Sequence, residues 1–196
     1  MEAFKTEKRK QKIISVANAR QKSLHIVLEN IHDPHNVSAI FRSCDAVGVP
    51  KVSLIYTVEK FPRIGKKSSA SAFKWVEKDK FKNVEACYES LHNEGFIILA
   101  SSICDDAVSL YDLDLTKKVA IVLGNEHRGV SDDAVKLADK KFLIPMTGMV
   151  QSLNVSVASA VVLYEAFRQR LKKNMYSKSE YSPDEMKELL DSWYKR

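Results

Sequence analysis

Glycine is scarce in this chain. The six glycines in 196 residues, at positions 48, 65, 95, 124, 129 and 148, compose neither G-x-G-x-x-G nor a phosphate-binding P-loop. A Rossmann-type oxidoreductase and a P-loop NTPase are therefore disfavoured. Cysteine is equally sparse: Cys44, Cys87 and Cys104 are odd in number, widely spaced and without a C-x-x-C pair. That argues against a disulfide framework and a zinc site. One H-x-x-H pair exists, His32 and His35, but Pro34 between them works against a shared helical face, so no metal is expected. Long apolar runs are missing too. The stretches 95–101 and 119–123 fall far short of the roughly 20 residues that cross a bilayer, so no membrane association is expected. The first twenty residues are charged and lack the apolar segment of a secretory signal, which makes the cytoplasm the expected location.

The chain does carry an excess of positive charge, +6 with a pI near 9.1, and it is clustered. Residues 1–22 hold Lys5, Lys8, Arg9, Lys10, Lys12, Arg20 and Lys22 against two acids. Residues 57–82 hold eight lysines and arginines, among them Arg63, Lys66 and Lys67, against three acids. Residues 168–178 hold Arg168, Arg170, Lys172, Lys173 and Lys178 with none. Clustered cations suit a polyanion, because each neutralised phosphate releases counterions. Solvated helix faces would give the same clusters, so charge alone leaves both readings open.

Short apolar runs alternate with helical patterns. Residues 23–30, 51–56, 73–79, 95–101, 118–124 and 141–146 read as strands, several apolar enough to be buried on both faces. Helices are expected at about 36–47, 82–93, 131–139 and 152–173. Such alternation predicts a parallel sheet covered on both sides, an α/β sandwich. In the longest helix Leu153, Val157, Val161, Tyr164 and Phe167 form an expected packing stripe, next to small residues from Ser156 to Ala160. Ser182, Pro183 and Glu185 mark a capped terminal helix whose Met186, Leu189, Leu190 and Trp193 must rest on something. The basic N-terminal segment, with Ile13, Ile14 and Val16, reads as a second appended helix. Three parts follow: a helical extension at 1–22, one domain at 23–173, and a second extension at 174–196.

Polar residues collect just past strand ends, where open α/β sheets bind ligands. In residues 31–49, Asp33-Pro34 makes a turn, Asn36 opens a helix, and Arg42 follows about one and two-thirds turns later. Taken alone, Asn36 reads as a helix cap and Arg42 as a surface cation. In residues 122–135 a buried strand runs into Gly124, Asn125 and Glu126, before a helix capped at Ser131. In residues 144–170 a loop containing Pro145, Gly148 and Ser152 enters the long helix, with Asn154 in its first turn.

In this order N-x-x-x-x-x-R, G-N-E-x-x-G and I-P-M-x-G-x-x-x-S-L-N-V-S-V-A resemble the three signature motifs of the SpoU family of RNA ribose 2'-O-methyltransferases. The resemblance runs from about residue 23 to 171. The phrases PHNVSAI, DAVGV and GMVQSLNVSVASA look like the branch that modifies a D-loop guanosine of tRNA. It implies an α/β/α sandwich with a deep C-terminal trefoil knot, short terminal helices, a homodimer, tRNA as partner and S-adenosylmethionine as cofactor. The cofactor pocket it implies comprises Ser101, Leu123, Gly124, Ile144, Met146 and Leu153. The resemblance assigns proton removal to Arg42, oriented by Asn36, with Glu126, Ser152 and Asn154 shaping the site, partly from the opposite subunit. A guanidinium stays charged below a pKa of about 12, so Arg42 is read here chiefly as a clamp on an RNA phosphate. Arg168 and Arg170, with Arg9, Lys12 and Arg20 of the N-terminal segment, are the expected RNA contacts. The alternatives are the same chemistry on a tRNA wobble nucleotide or a 23S ribosomal RNA guanosine, or a catalytically silent RNA-binding relative. Retention of Asn36, Arg42, Glu126, Ser152 and Asn154 together argues against the silent relative.

Overall fold

A computed structural model describes residues 6–62 and 72–196; Lys5, Arg63, Lys66 and Lys67 of the basic stretches lie outside them. Helix α1 (Glu7–Asn18) leads into strand β1 (Leu24–Glu29), helix α2 (Pro34–Val47) and strand β2 (Lys51–Ile55). A single helical turn, α3 (Ala72–Trp75), precedes β3 (Glu77–Phe81), α4 (Val84–Asn93), β4 (Ile97–Ser101) and the short β5 (Val108–Ser109). Then come β6 (Val119–Leu123), α5 (Asp132–Leu137), β7 (Lys140–Leu143), α6 (Val155–Lys172) and α7 (Pro183–Tyr194).

The strands make one parallel sheet in the order β3-β2-β1-β6-β4-β7-β5. Side chains alternate along each strand, so each apolar run feeds two cores. Leu24, Ile26 and Leu28 join Val119, Ile121 and Leu123 under α2 and α6. Val27, Ala120 and Val122 join Ile98 and Ala100 under α4 and α5. Strand β6 lies between the earlier β1 and β4, and β7 between the earlier β4 and β5. Helix α6 then bonds to the connection that precedes β6: Gln169 Nε2 donates to the Leu113 carbonyl (3.0 Å), and the Leu115 N–H donates to Gln169 Oε1 (2.9 Å).

The terminal helices cover each other. Ser182 and Glu185 form the expected capping box, and Trp193 of α7 packs with Ile13 and Ala17 of α1. Helix α2 ends at Gly48 (φ 86°), where a Cβ would come within 2.7 Å of the Ala19 carbonyl oxygen.

Four local expectations need correction. Residues 73–79 do not form one strand: Ala72–Trp75 is a helical turn, and the strand begins at Glu77, whose N–H donates to the Pro50 carbonyl (2.8 Å). As an edge strand with charged, largely exposed side chains, β3 lacks the apolar alternation that would mark its start. Helix α2 is capped by Asp33, whose side chain accepts from the His35 N–H, so Asn36 is the third residue of its first turn. Asn154 is the cap of α6 rather than a residue of its first turn. The buried side of α6 carries Val155, Ser159, Val162, Leu163, Ala166 and Arg170, whereas Val157 and Tyr164 of the expected stripe face outward.

Candidate active site

Because every strand is parallel, all carboxyl ends share one sheet edge. Past β1, Asn30 takes a left-handed conformation (φ 51°), and its Oδ1 accepts from the N–H groups of Thr57, Val58 and Glu59 at 3.0–3.2 Å. Past β6, Gly124 has no room for a side chain, since a Cβ would stand 2.1 Å from the Gly129 backbone. The chain can therefore fold back at once, the Gly129 N–H donating to the Asn125 carbonyl (2.8 Å). Asn125 Nδ2 reaches across to the Asn30 carbonyl (2.7 Å), joining the ends of β1 and β6.

Glu126 is the centre of the resulting network. Its Oε1 accepts from Asn36 Nδ2 (2.9 Å) and the Asp33 N–H (3.1 Å), and its Oε2 from the His32 N–H (2.9 Å). Burial works against ionisation of this carboxyl, but the hydrogen bonds from Asn36, His32 and Asp33 outweigh it, and its pKa lies below the usual value. Asn36 Oδ1 in turn accepts from Asn154 Nδ2 (3.2 Å). Three segments far apart in sequence, at the starts of α2 and α6 and after β6, thus meet through Glu126, Asn36 and Asn154. Arg42 is exposed, two positions short of buried Cys44 on α2, and about 9 Å along the helix axis from Asn36. Ser152 is exposed in the loop before α6.

The expected cofactor residues lie along the same edge. Ser101 ends β4 level with Phe142 of β7, and the ladder between β4 and β6 sets Leu123 beside it. Ile144 follows β7, and Ile144, Met146 and Leu153 are half-buried. Half-buried apolar side chains next to strand ends suit an adenosyl ligand. Among the described residues no group of three or more His, Cys, Asp or Glu is placed to hold a metal ion.

The basic residues divide sharply. Arg9, Lys12 and Arg168 are exposed, Arg168 being forked onto Glu165 through two 2.8 Å bonds. Arg20 and Arg170, by contrast, are fully buried, which corrects the expectation that they contact RNA. Arg170 donates to the carbonyls of Leu115, Ser23 and Lys117 and to the side chains of Gln21 and Ser23, at 2.7–3.2 Å. Arg20 pairs with Asp45 and donates to the carbonyls of Val49 and Trp75. Their position in basic stretches gives no sign of this, because burial of a guanidinium depends on carbonyls supplied by distant segments. Sequence reasoning also misses Asn30 and Glu59. Glu59 accepts from Arg128 (2.9 Å) and contacts His32 Nδ1 (3.2 Å) beside the network. An asparagine directly after a buried strand is the available signal for Asn30.

A parallel sheet that carries a polar hub and an apolar shelf along one carboxyl edge marks an α/β protein that seats a small ligand beside a reactive polar group. The chain belongs to the SpoU methylase family, as the model of the SpoU rRNA methylase family matches residues 23–164. It therefore has the knotted α/β fold of that family, to which the late insertion of β6 and β7 contributes. Relatives include a tRNA (guanosine(18)-2'-O)-methyltransferase of Thermus thermophilus, 41% identical over 192 residues and 98% of both chains. A protein of the same name from Escherichia coli is 41% identical over 84% of this chain and 72% of its own. The crystal structure titled A. aeolicus TrmH/SpoU tRNA modifying enzyme superposes with a TM-score of 0.90, at 41% identity and 96% coverage of each chain.

Proposed function

We propose that this protein transfers a methyl group from S-adenosylmethionine to the ribose 2'-hydroxyl of a D-loop guanosine, position 18, in cytoplasmic tRNA. The observation that carries this reading is the hub of Glu126, Asn36 and Asn154 beside the apolar shelf, in a chain that aligns with tRNA guanosine-18 enzymes over nearly its whole length. S-adenosylmethionine, when bound, supplies the electrophilic methyl group. Backbone groups at the ends of β4, β6 and β7 would hold it, with the half-buried Ile144, Met146 and Leu153 supplying the apolar side of its pocket. Asn36, its amide fixed by Glu126 and Asn154, orients the substrate. Arg42 forks onto the phosphate next to the reacting ribose and stabilises the oxygen as its proton departs to that phosphate. Ser152 narrows the entrance.

The working form we propose is a homodimer. Val157, Tyr164 and Leu171 recur seven residues apart on α6, each 49–53% exposed, with exposed Met149 and Val150 nearby. Such an apolar stripe favours a second copy. The basic stretches at 1–22 and 57–82, with Arg9, Lys12 and Arg168, grip the tRNA backbone. The test is incubation of unmodified tRNA and ribosomal RNA transcripts with labelled S-adenosylmethionine, followed by mapping of the label. Label on the 2'-oxygen of the D-loop guanosine is expected. Label on a wobble nucleotide or on ribosomal RNA would reassign the substrate, and label on no RNA would reject the activity.

A further inference from the structure

Where α1, α2, α3 and α7 meet lies a cavity that none of the hub residues lines. It measures about 370 Å³, and Arg9, Lys12, Ile13, Asp45, Trp75 and Trp193 contribute to its lining. That is within the roughly 300–1,000 Å³ typical of small-ligand pockets. Asp45 follows Arg42 by three residues on α2, so the two share a side of the helix about 4.5 Å apart along its axis. The cavity wall is built rigidly from beneath. Buried Arg20 donates to the carbonyls of Asp45 (3.3 Å), Val49 (3.2 Å) and Trp75 (3.3 Å), pairs with Asp45 Oδ1, and lies 5.2 Å from the centre of the Trp193 ring. The Asp45 side chain remains 33% exposed, which leaves Oδ2 and the second lone pair of Oδ1 to a pair of outside donors. Trp75, half-buried, stands edge-on to Trp193 with ring centres 5.1 Å apart.

We propose that this cavity is a guanine subsite that takes an unstacked RNA base neighbouring the nucleotide whose ribose reaches Arg42. The proposal rests on the RNA methyltransferase reading above. An aromatic ring with cations beside it is the usual platform for an unpaired base: the ring stacks and the cations take the phosphate. The carboxylate adds the selectivity. Guanine offers two adjacent donors on its pairing edge, N1–H and the N2 amino group, which match one carboxylate; adenine turns the N1 lone pair towards it instead. Arg9 and Lys12 at the mouth supply the positive charge. An apolar peptide in the same place would leave Arg9 and Lys12 without a counter-charge and the open face of Asp45 without donors.

The test uses the full chain with an unmodified D-arm hairpin RNA, in which each unpaired guanine in turn is replaced by inosine, lacking the N2 amino group, or by adenine. Binding and single-turnover methyl transfer are both measured. One replacement, at a guanine other than the methylated one, should weaken binding by wild type about tenfold. Trp75→Ala should weaken binding of the unaltered RNA to a similar degree, and in that variant the same base replacement should cost less than twofold. Trp75→Phe should restore most of the loss, and Asp45→Asn should erase the preference for guanine over adenine, with cofactor affinity unchanged throughout. Equal effects of every replacement in wild type and Trp75→Ala, or no effect of any replacement, would overturn the subsite. If wild type methylates the hairpin while showing no base dependence, only the subsite falls. If it methylates no RNA, the parent reading falls with it.

Discussion

Replacing Glu126 by alanine removes the acceptor for three donors at once: Asn36 Nδ2 and the N–H groups of His32 and Asp33. A hydrogen bond to a charged group contributes about 1.5–3 kcal/mol, and the half-buried position lets water refill part of the vacated space. The two backbone donors are the easier to rehydrate. Loss of the Asn36 contact matters most for chemistry, because the same amide also receives Asn154 (3.2 Å) and its orientation depends on both partners. A net cost of about 2–4 kcal/mol in the transition state corresponds to a ~30- to 1,000-fold slower single-turnover methyl transfer. The assay is rapid-quench transfer of labelled methyl to saturating unmodified tRNA, with cofactor affinity and melting temperature measured alongside. Asn36→Ala should give a similar loss, and the double variant Glu126→Ala/Asn36→Ala little more than either alone. A Glu126→Ala protein that folds and transfers at the wild-type rate would refute the idea that this carboxylate positions the site.

Arg170→Met leaves five buried or part-buried acceptor contacts without their donor and should cost about 3–5 kcal/mol, lowering the melting temperature by roughly 6–20 °C; an unchanged melting curve would contradict the assigned role. Burial, with nearby Lys51 adding to it, lowers the pKa of His25 to about 3, so the native state keeps it neutral while the unfolded chain protonates it near 6.5. The unfolded state then binds the extra proton between about pH 3 and 6.5, and stability falls on acidification through that window by up to about 1.4 kcal/mol per pH unit. His25→Gln should flatten that part of the urea-unfolding profile, and an unaltered slope would exclude His25 as its source. Arg42→Lys keeps the charge but loses the planar fork. It should act nearly as poorly as Arg42→Ala, and substantial methyl transfer by the lysine variant would rule out a bidentate clamp.

The parts of the molecule legible in the sequence are those fixed by local chemistry. Strand β6 is apolar throughout and buried on both faces, and Ser182, Pro183 and Glu185 fix the start of α7 within one turn of chain. Strand β3 escapes such reading because its identity comes from pairing with β2 through Lys51 to Ile55, and not from its own charged residues. The outward side of α6 passes for its packing stripe because Val157 and Tyr164 satisfy helical periodicity as well as the buried Val155, Val162 and Leu163 do. Periodicity alone does not say which of two apolar stripes meets the core of its own chain. Arg20 and Arg170 share composition with exposed Arg9 and Lys12; only the carbonyls that distant segments bring to them set them apart. Within the polar hub, motif order points to Glu126, Asn36 and Asn154, while the bonds that link them arise from strand insertion that no local rule encodes.

The most direct measurement is a crystal structure of the protein with S-adenosylhomocysteine and an unmodified D-arm RNA. The expected result is a cofactor sulfur at the carboxyl ends of β4, β6 and β7, with a guanosine 2'-oxygen between it and the Arg42 guanidinium of one of two protomers. A cofactor seated elsewhere, or an Arg42 remote from the bound ribose in both protomers, would contradict the account.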